Sequence, residues 1–488
     1  MANMRLPLLP LILGVVPQGL RQVLEQEGIP TRDRRPGPPE GRFLLFDSRT
    51  AAEEPPAAGQ IGVDVDVLRR EFDEDPFQAL VDERSALHRW QIAGLTLTEQ
   101  VARVDKRAVR RGLVERLRAR IERAGGVWLR VSAFPFPYRS ALSFRIDYDQ
   151  YDQGDFEAVM KAIAGHEQAT SHFVGGAAYA GAPRALARLR GLDVGSHAYW
   201  HHTYRTAEEN LRNIGRGIDV LRAAGIEPSG FTAPHGRFHR RLLLALETLG
   251  VTHSSEFGLA YDELPFFVAG GDVLQIPVHP ICLGLFLEAV ARDRRDDSQA
   301  AEARAAAVDR AVEHFDQLVR AAYRAGEPVF LYGHPTGRLG RYPQLLSRVF
   351  ETASGFGALW KTTFTELARW WRARAQVRLT VTRGKGRYTV MLHRTAAGYR
   401  IGVEYHRGPH VALMPLDDRG VRFSPQSLAY ETRGAHPSVS PVRLDRAHGL
   451  RGRVRQLIDW ERVTPIDEIG TGDWRNWTKR TLRRFLGD

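Results

Sequence analysis

Two short segments of this chain place carboxylates and imidazoles where they could share a cation. Ser143-Phe144-Arg145-Ile146-Asp147-Tyr148-Asp149 is an apolar run ending in two carboxylates, and Gly195-Ser196-His197-Ala198-Tyr199-Trp200-His201 supplies two imidazoles four positions apart. One carboxylate and two histidines suffice for a three-ligand metal site with positions open for water and substrate, which leaves the second carboxylate as a base. On this reading Asp149, His197 and His201 are the ligands and zinc is the default ion, with the imidazoles brought together by one helical turn. Asp147 then accepts the proton of an attacking water. Hydrolysis is the chemistry expected.

Taken singly, an Asp-x-Asp is ordinarily a surface loop and a His-x-x-x-His a solvated helix face. Asp64 and Asp66 make a second Asp-x-Asp with no histidine pair following at a comparable distance. Both halves together, at successive strand ends, are what single out the later set, with His202 an alternative to His201. Two more segments add to it. Gly230-Phe231-Thr232-Ala233-Pro234-His235-Gly236 is an apolar strand ending in a Pro-x-Gly bend, which can present the His235 backbone N–H to a developing oxyanion. Val329-Phe330-Leu331-Tyr332-Gly333-His334-Pro335 puts His334 at the end of a buried strand, where it is a candidate general acid for the leaving group.

These residues must be positioned by alternating strands and helices. Short apolar runs at Leu142 to Asp147, Thr170 to Val174, Val194 to Ser196, Gly230 to Ala233, Val251 to Ser254, Val273 to Ile276 and Val329 to Tyr332 read as strands. Between them, Ala207 to Ala224 reads as a helix with Leu211, Ile214, Ile218 and Leu221 as its apolar stripe, and Glu302 to Ala325 as another. Most of the polar residues of interest fall at strand C-termini, the face on which a parallel (β/α) barrel builds its active site. The barrel region is set at 136–375.

Residues 1–135 read as an α/β region with no recognisable chemistry. It holds strands near Leu11 to Val16 and Phe43 to Phe46, a helix closed by Gly28, and a helix over Lys106 to Arg123. From Gln376 the apolar period changes to two, as in Val377/Leu379/Val381, Tyr388/Val390/Leu392 and Tyr399/Ile401/Val403/Tyr405, so 376–435 is expected to be a small antiparallel β domain. Residues 436–488 end in Trp474, Trp477, Leu482 and Phe485 interleaved with Arg475, Lys479, Arg480, Arg483 and Arg484, a basic amphipathic helix.

Composition excludes several classes. With 488 residues and 43% hydrophobic content the chain can bury a full core, and two or three domains are expected. The net charge of +12 is carried almost wholly by arginine, with Lys106, Lys161, Lys361, Lys385 and Lys479 the lysines. No dense basic run with interleaved aromatics occurs outside the C-terminal tail, so a specific nucleic-acid partner is not expected. The lone Cys282 rules out an intramolecular disulfide and a cysteine metal cluster. The apolar stretch Leu6 to Val16 is interrupted by Pro7 and Pro10 and reads as a strand rather than a signal peptide, so a cytoplasmic location is expected. No P-loop, Rossmann fingerprint or Gly-x-Ser-x-Gly is present in context.

In the order of these motifs the segment Arg139 to Thr365 resembles the polysaccharide deacetylase (NodB homology) family of carbohydrate esterases. The resemblance implies α/β architecture with a distorted (β/α) barrel, Asp147 as base, Asp149, His197 and His201 as metal ligands, Thr232 to Gly236 as the third motif and His334 as the last. Two departures stand out. Thr232 occupies the position where the family usually has an arginine that orients the base, so that Arg145 or Arg237 would have to supply the charge, and Ala198 replaces a hydroxyl residue. The family's Asp-Trp pair has Asp262 as its nearest match.

The function expected is therefore a metal-dependent deacetylase acting on the N-acetyl amide of a polysaccharide, glycan precursor or glycoconjugate, with an acetylated glycan as its partner. The alternatives are the same carbon–nitrogen hydrolase site acting on a small amide, and a degenerate, non-catalytic glycan- or anion-binding protein. The basic C-terminal helix is expected to pack on the main body, with a weak anionic surface contact as its other role.

Overall fold

The strand Ser140–Tyr148, which carries Asp147, is the hub of a curled nine-stranded sheet. All nine of its residues are buried, the pattern of a strand covered on both faces. It pairs in parallel with Val329–Gly333 on one side. On the other side it pairs with Thr170–Val174 and, at its start, with Leu359–Lys361. Beyond Thr170–Val174 the sheet continues through Val194–Ser196, Gly230–Phe231, His253–Ser254 and Leu274–Gln275 to an antiparallel edge strand, Phe266–Phe267. Every strand expected in this region is present, while Phe266–Phe267 and Leu359–Lys361 are additional. The computed structural model describes residues 6–50, 55–291, 297–435 and 441–444, with 478 and 481 as isolated positions.

Strand pairing does not close this sheet among the described residues. The irregular segment after Leu274–Gln275 bridges the gap instead: His279 N–H donates to the Phe330 carbonyl (2.7 Å) and Leu283 N–H to that of Tyr332 (3.1 Å). A curled half-barrel with a mixed α/β surround is the result, consistent with a distorted barrel.

The helices that pack on the sheet follow their sequence signals. Ala207–Ala223 starts at Thr206, whose hydroxyl accepts from Glu209 N–H (3.2 Å), and buries Asn210, Asn213, Ile214, Gly217, Ile218 and Leu221. Two amides and a glycine on an otherwise apolar stripe are unusual, and their use appears at the metal centre. The second expected helix forms as Asp297–Ala325.

In the N-terminal region, Thr31–Asp33, Leu11–Leu13, Phe43–Phe46 and Ile61–Asp64 make a parallel four-stranded sheet. The helix Gln18–Glu27 ends at Gly28, whose φ of 67° is the left-handed cap that glycine allows. A hairpin, Ser85–Ile92 with Leu95–Ala102, turns through Ala93 and Gly94, both at positive φ. Lys106–Arg123 is helical as expected.

The antiparallel strands expected after Gln376 also form, but they are divided between two sheets. Arg378–Gly384, Arg387–Arg394 and Val421–Phe423 make one. Ile401–Arg407, His410–Leu416 and Glu431–Thr432 make the other, which is extended by Leu129–Val131 from the N-terminal region. One apolar core joins residues from Leu8 to Phe423, and a second cluster packs around Ala198, Ile214, Phe231 and Leu246. Buried ion pairs cross the same boundaries: Arg110 meets Glu27 and Glu263, and Arg130 meets Glu27 and Glu404 (2.9 Å to the last). Desolvation offsets most of the attraction in such pairs, so they fix relative placement more than they add stability. The basic C-terminal helix anticipated from sequence lies outside the described residues. No helix among those described is long and apolar enough to cross a membrane.

Candidate metal centre

Asp149, the first residue past the Ser140–Tyr148 strand, meets two imidazoles from the loop after Val194–Ser196. Its Oδ1 is 3.2 Å from His197 Nε2 and 3.5 Å from His201 Nε2. Ligands held about 2.0–2.2 Å from a tetrahedral ion stand roughly 3.2–3.6 Å apart, so both separations match an edge of that tetrahedron. Oδ1 is itself buried and makes no hydrogen bond, which leaves its lone pairs facing the two nitrogens. His197 Nδ1–H donates to the Thr232 carbonyl (2.8 Å), so in the neutral ring Nε2 is the unprotonated nitrogen, as a metal ligand requires. The donor set fits a divalent cation. His197 is only 2% exposed, whereas the side chains of Asp149 and His201 are 28% and 30% exposed, so the centre is open on one side. Burial acts to raise the Asp149 carboxyl, but His334, His201 and His197 outweigh it and hold the group well below the usual carboxylate range.

No helical turn brings the two imidazoles together, contrary to the sequence expectation. His197 to Tyr204 is a loop, and Ala198 adopts a left-handed φ of 64°. That conformation costs an L-residue about 1–2 kcal/mol, and the neighbouring helix Ala207–Ala223 holds it in place. Asn213 accepts from Trp200 N–H through Oδ1 (2.8 Å) and donates through Nδ2 to the carbonyls of Trp200 (3.1 Å) and His202 (3.0 Å). Asn210 clamps Tyr204 N–H and C=O in the same way, at 2.8 Å each. His202 packs edge-on against Tyr204 (4.7 Å) instead of joining the cluster, so His201 is the second nitrogen.

Gly217 lets the helix approach this closely. A Cβ there would sit 2.7 Å from the Ala198 carbonyl carbon and 2.9 Å from Tyr199 N, both backbone atoms that cannot swing aside. Gly217→Ala is therefore expected to shift the loop and with it His201, weakening metal affinity about 10- to 100-fold in a chelator-competition titration while the cooperative unfolding transition persists.

Asp147 lies on the same strand face as Arg145 and is 2% exposed. Arg145 NH2 donates to Asp147 Oδ2 (2.7 Å), and its NH1 donates to the Ser255 carbonyl (2.7 Å) and hydroxyl (2.9 Å). The guanidinium also lies 4.6 Å from the Tyr332 ring centre. Arg145, one of the two arginines that could replace the one missing at Thr232, is therefore bonded to Asp147. Thr232 contributes in a different way: its hydroxyl stands 2.7 Å from His197 Nδ1 and 3.5 Å from Asp147 Oδ1.

His334 reaches the centre from the Val329–Gly333 strand, with Nε2 3.6 Å from Asp149 Oδ2. Its Nδ1 accepts from Arg338 NH1 (2.6 Å), so the ring proton of neutral His334 is on Nε2. Burial pushes this imidazole down to about 4, with Asp149 opposing and Arg338 adding to the effect. Asp262, the nearest sequence match for an orienting aspartate, pairs with Arg107 of the Lys106–Arg123 helix. His235 sits in the bend with φ 58°, a left-handed conformation uncommon for a non-glycine residue, and its ring stacks edge-on against His201 at 4.6 Å.

No family model matches the chain, and no curated protein does. Among solved structures, a candidate polysaccharide deacetylase from Mycobacterium smegmatis is 17% identical, over 52% of this chain and 96% of that one, with a TM-score of 0.41. The chain is similar to polysaccharide deacetylases. A family 4 carbohydrate esterase from Streptomyces lividans, solved in complex with acetate, is 14% identical over 46% of this chain and 91% of its own (TM-score 0.30). A CE4 family pseudoenzyme from Bacillus anthracis is 11% identical over 47% and 65% (TM-score 0.32). Similarity to these deacetylase-type proteins thus spans about half of the chain.

Arg338, Asn213 and Gly217 went unread in the sequence. Each has a visible signal: an arginine four residues past a strand-end histidine, an amide on an apolar helix stripe, and a glycine one turn further along it.

Proposed function

We propose that the chain is a metal-dependent deacetylase that hydrolyses the N-acetyl amide of a polysaccharide, glycan precursor or glycoconjugate. The observation that carries this reading is the Asp149, His197 and His201 cluster at tetrahedral spacing, with a second, arginine-clamped carboxylate beside it. A divalent cation in that ligand set, zinc in our reading, supplies an acidified water and polarises a carbonyl oxygen. Asp147 is the base. Arg145 NH2 holds its Oδ2 at 2.7 Å beside the cluster, which positions the carboxylate to accept a proton from the attacking water. The His235 backbone N–H is assigned to the developing oxyanion, and His334, once its ring carries protons on both nitrogens, to protonating the departing amine and returning to the neutral imidazole.

A second reading has one observation in its favour. Arg338, a cation, meets His334 Nδ1 where a carboxylate would stabilise the imidazolium, and this weakens His334 as an acid. In that reading the barrel is degenerate and the chain is a non-catalytic glycan- or anion-binding protein.

Elemental analysis of the purified protein, combined with acetate release from acetylated oligosaccharides and from small amides, separates the possibilities. The expected result is one equivalent of divalent metal and chelator-sensitive acetate release from the oligosaccharides. Turnover confined to the small amides reassigns the substrate. Absence of metal together with salt-sensitive polymer binding supports the binding protein.

A further inference from the structure

We infer that Tyr151 is a stacking platform for a sugar ring next to the one that reacts, so that the site takes glycans of more than one residue. This rests on the deacetylase reading and extends it from the reacting group to the length of the substrate. Tyr151 follows Asp149 by two residues, which keeps their Cα atoms within about 7 Å of each other. Among the described residues it is the one aromatic side chain in the set of large exposed hydrophobics, at 37% exposure.

A surface tyrosine is ordinarily mobile, but this one is held. Its ring rests edge-on against Tyr179, with centroids 5.1 Å apart at 70°, and is tilted against Phe156 at 6.3 Å. Tyr179 in turn packs edge-on against Tyr148 on the Asp147 strand (5.5 Å). The loop beneath is tied at both ends. The Gln150 carbonyl accepts from the Thr336 hydroxyl (3.0 Å), and Asp152 caps the next helix through Asp155 N–H (2.8 Å). Asp155 also accepts from Gly337 N–H (2.6 Å). Thr336 and Gly337 belong to the turn directly after His334, so the loop that carries Asp149 and Tyr151 is tied to the turn that follows His334.

An aromatic face that is already immobilised loses little conformational entropy when an apolar surface settles on it. The carbon-bound hydrogens on one face of a pyranose ring offer such a surface, while the hydroxyls at its rim stay in water. The partly exposed Tyr151 ring suits a hydrated sugar better than a wholly apolar ligand.

The test is a calorimetric titration of the full-length protein with a β-1,4-linked tetramer of glucosamine, the deacetylated form that turnover cannot consume. Tyr151→Ala is expected to weaken binding about tenfold, and Tyr151→Phe, which keeps the ring and drops the hydroxyl, to stay within about twofold of the parent. Unchanged affinity in Tyr151→Ala, equal losses in both variants, or no binding by the parent protein would overturn the inference. Acetate release by the parent protein from the acetylated tetramer is measured in parallel. Binding failure with acetate release intact removes only the platform, and tetramer binding without acetate release removes only the deacetylase reading.

Discussion

Asp149→Ala or His197→Ala is expected to abolish metal binding, whereas Asp147→Asn is expected to keep the metal and to lower acetate release by about 10²–10⁴-fold, the usual contribution of a positioned general base. The contrast follows from where each group sits. Asp149 Oδ1 and His197 Nε2 face each other across 3.2 Å, and removing either leaves only two of the three donors. Asp147 is bonded instead to Arg145 and lies outside the cluster. An asparagine there preserves size and can still accept from Arg145, but it cannot take a proton. Metal content by elemental analysis and turnover on the same preparations read the two effects separately. Full activity in Asp147→Asn would remove that residue from the base role.

Replacing Arg145 is expected to be the most damaging change outside the ligand set. Arg145→Met leaves the Asp147 carboxylate buried without its partner, and breaking a buried pair from one side costs roughly 3–5 kcal/mol. It also strips donors from the Ser255 carbonyl and hydroxyl, which lie on the far side of the curled sheet, so the cost includes lost closure as well as lost charge. Arg145→Lys keeps the charge but cannot bridge Asp147 and Ser255 with a rigid planar fork, and an intermediate loss is expected. Urea denaturation midpoints with unchanged slope, alongside turnover, measure both consequences. A midpoint that stays fixed in Arg145→Met would show that the pair is not what holds this end of the strand.

The sequence was most legible where short-range rules apply. Strand positions from Leu142 to Tyr332 were readable because parallel strands buried on both faces appear as compact apolar runs, and the helix stop at Gly28 because a left-handed cap favours glycine. Boundaries of the antiparallel strands after Gln376 were readable from their period of two, but their division between two sheets was not, since pairing partners such as Leu129–Val131 lie far away in the chain. In the same way the i, i+4 spacing of His197 and His201 suggested a helical turn. The actual loop depends on Ala198 being left-handed and on Asn213 and Gly217 arriving from the next helix.

Residue type and order alone determined which atoms could serve as ligands and base, that the candidate site residues fall at strand C-termini, and that Arg145 was placed to reach Asp147, because alternation along a strand fixes which side chains share a face. Only the tertiary structure showed Arg145 bonded to Asp147, chose His201 over His202, and placed Arg338, unread in the sequence, beside His334. Those choices turn on separations of a few ångströms between segments distant in sequence. Such distances are set by how the sheet curls and how closely its helices pack, and no local pattern of residues encodes them.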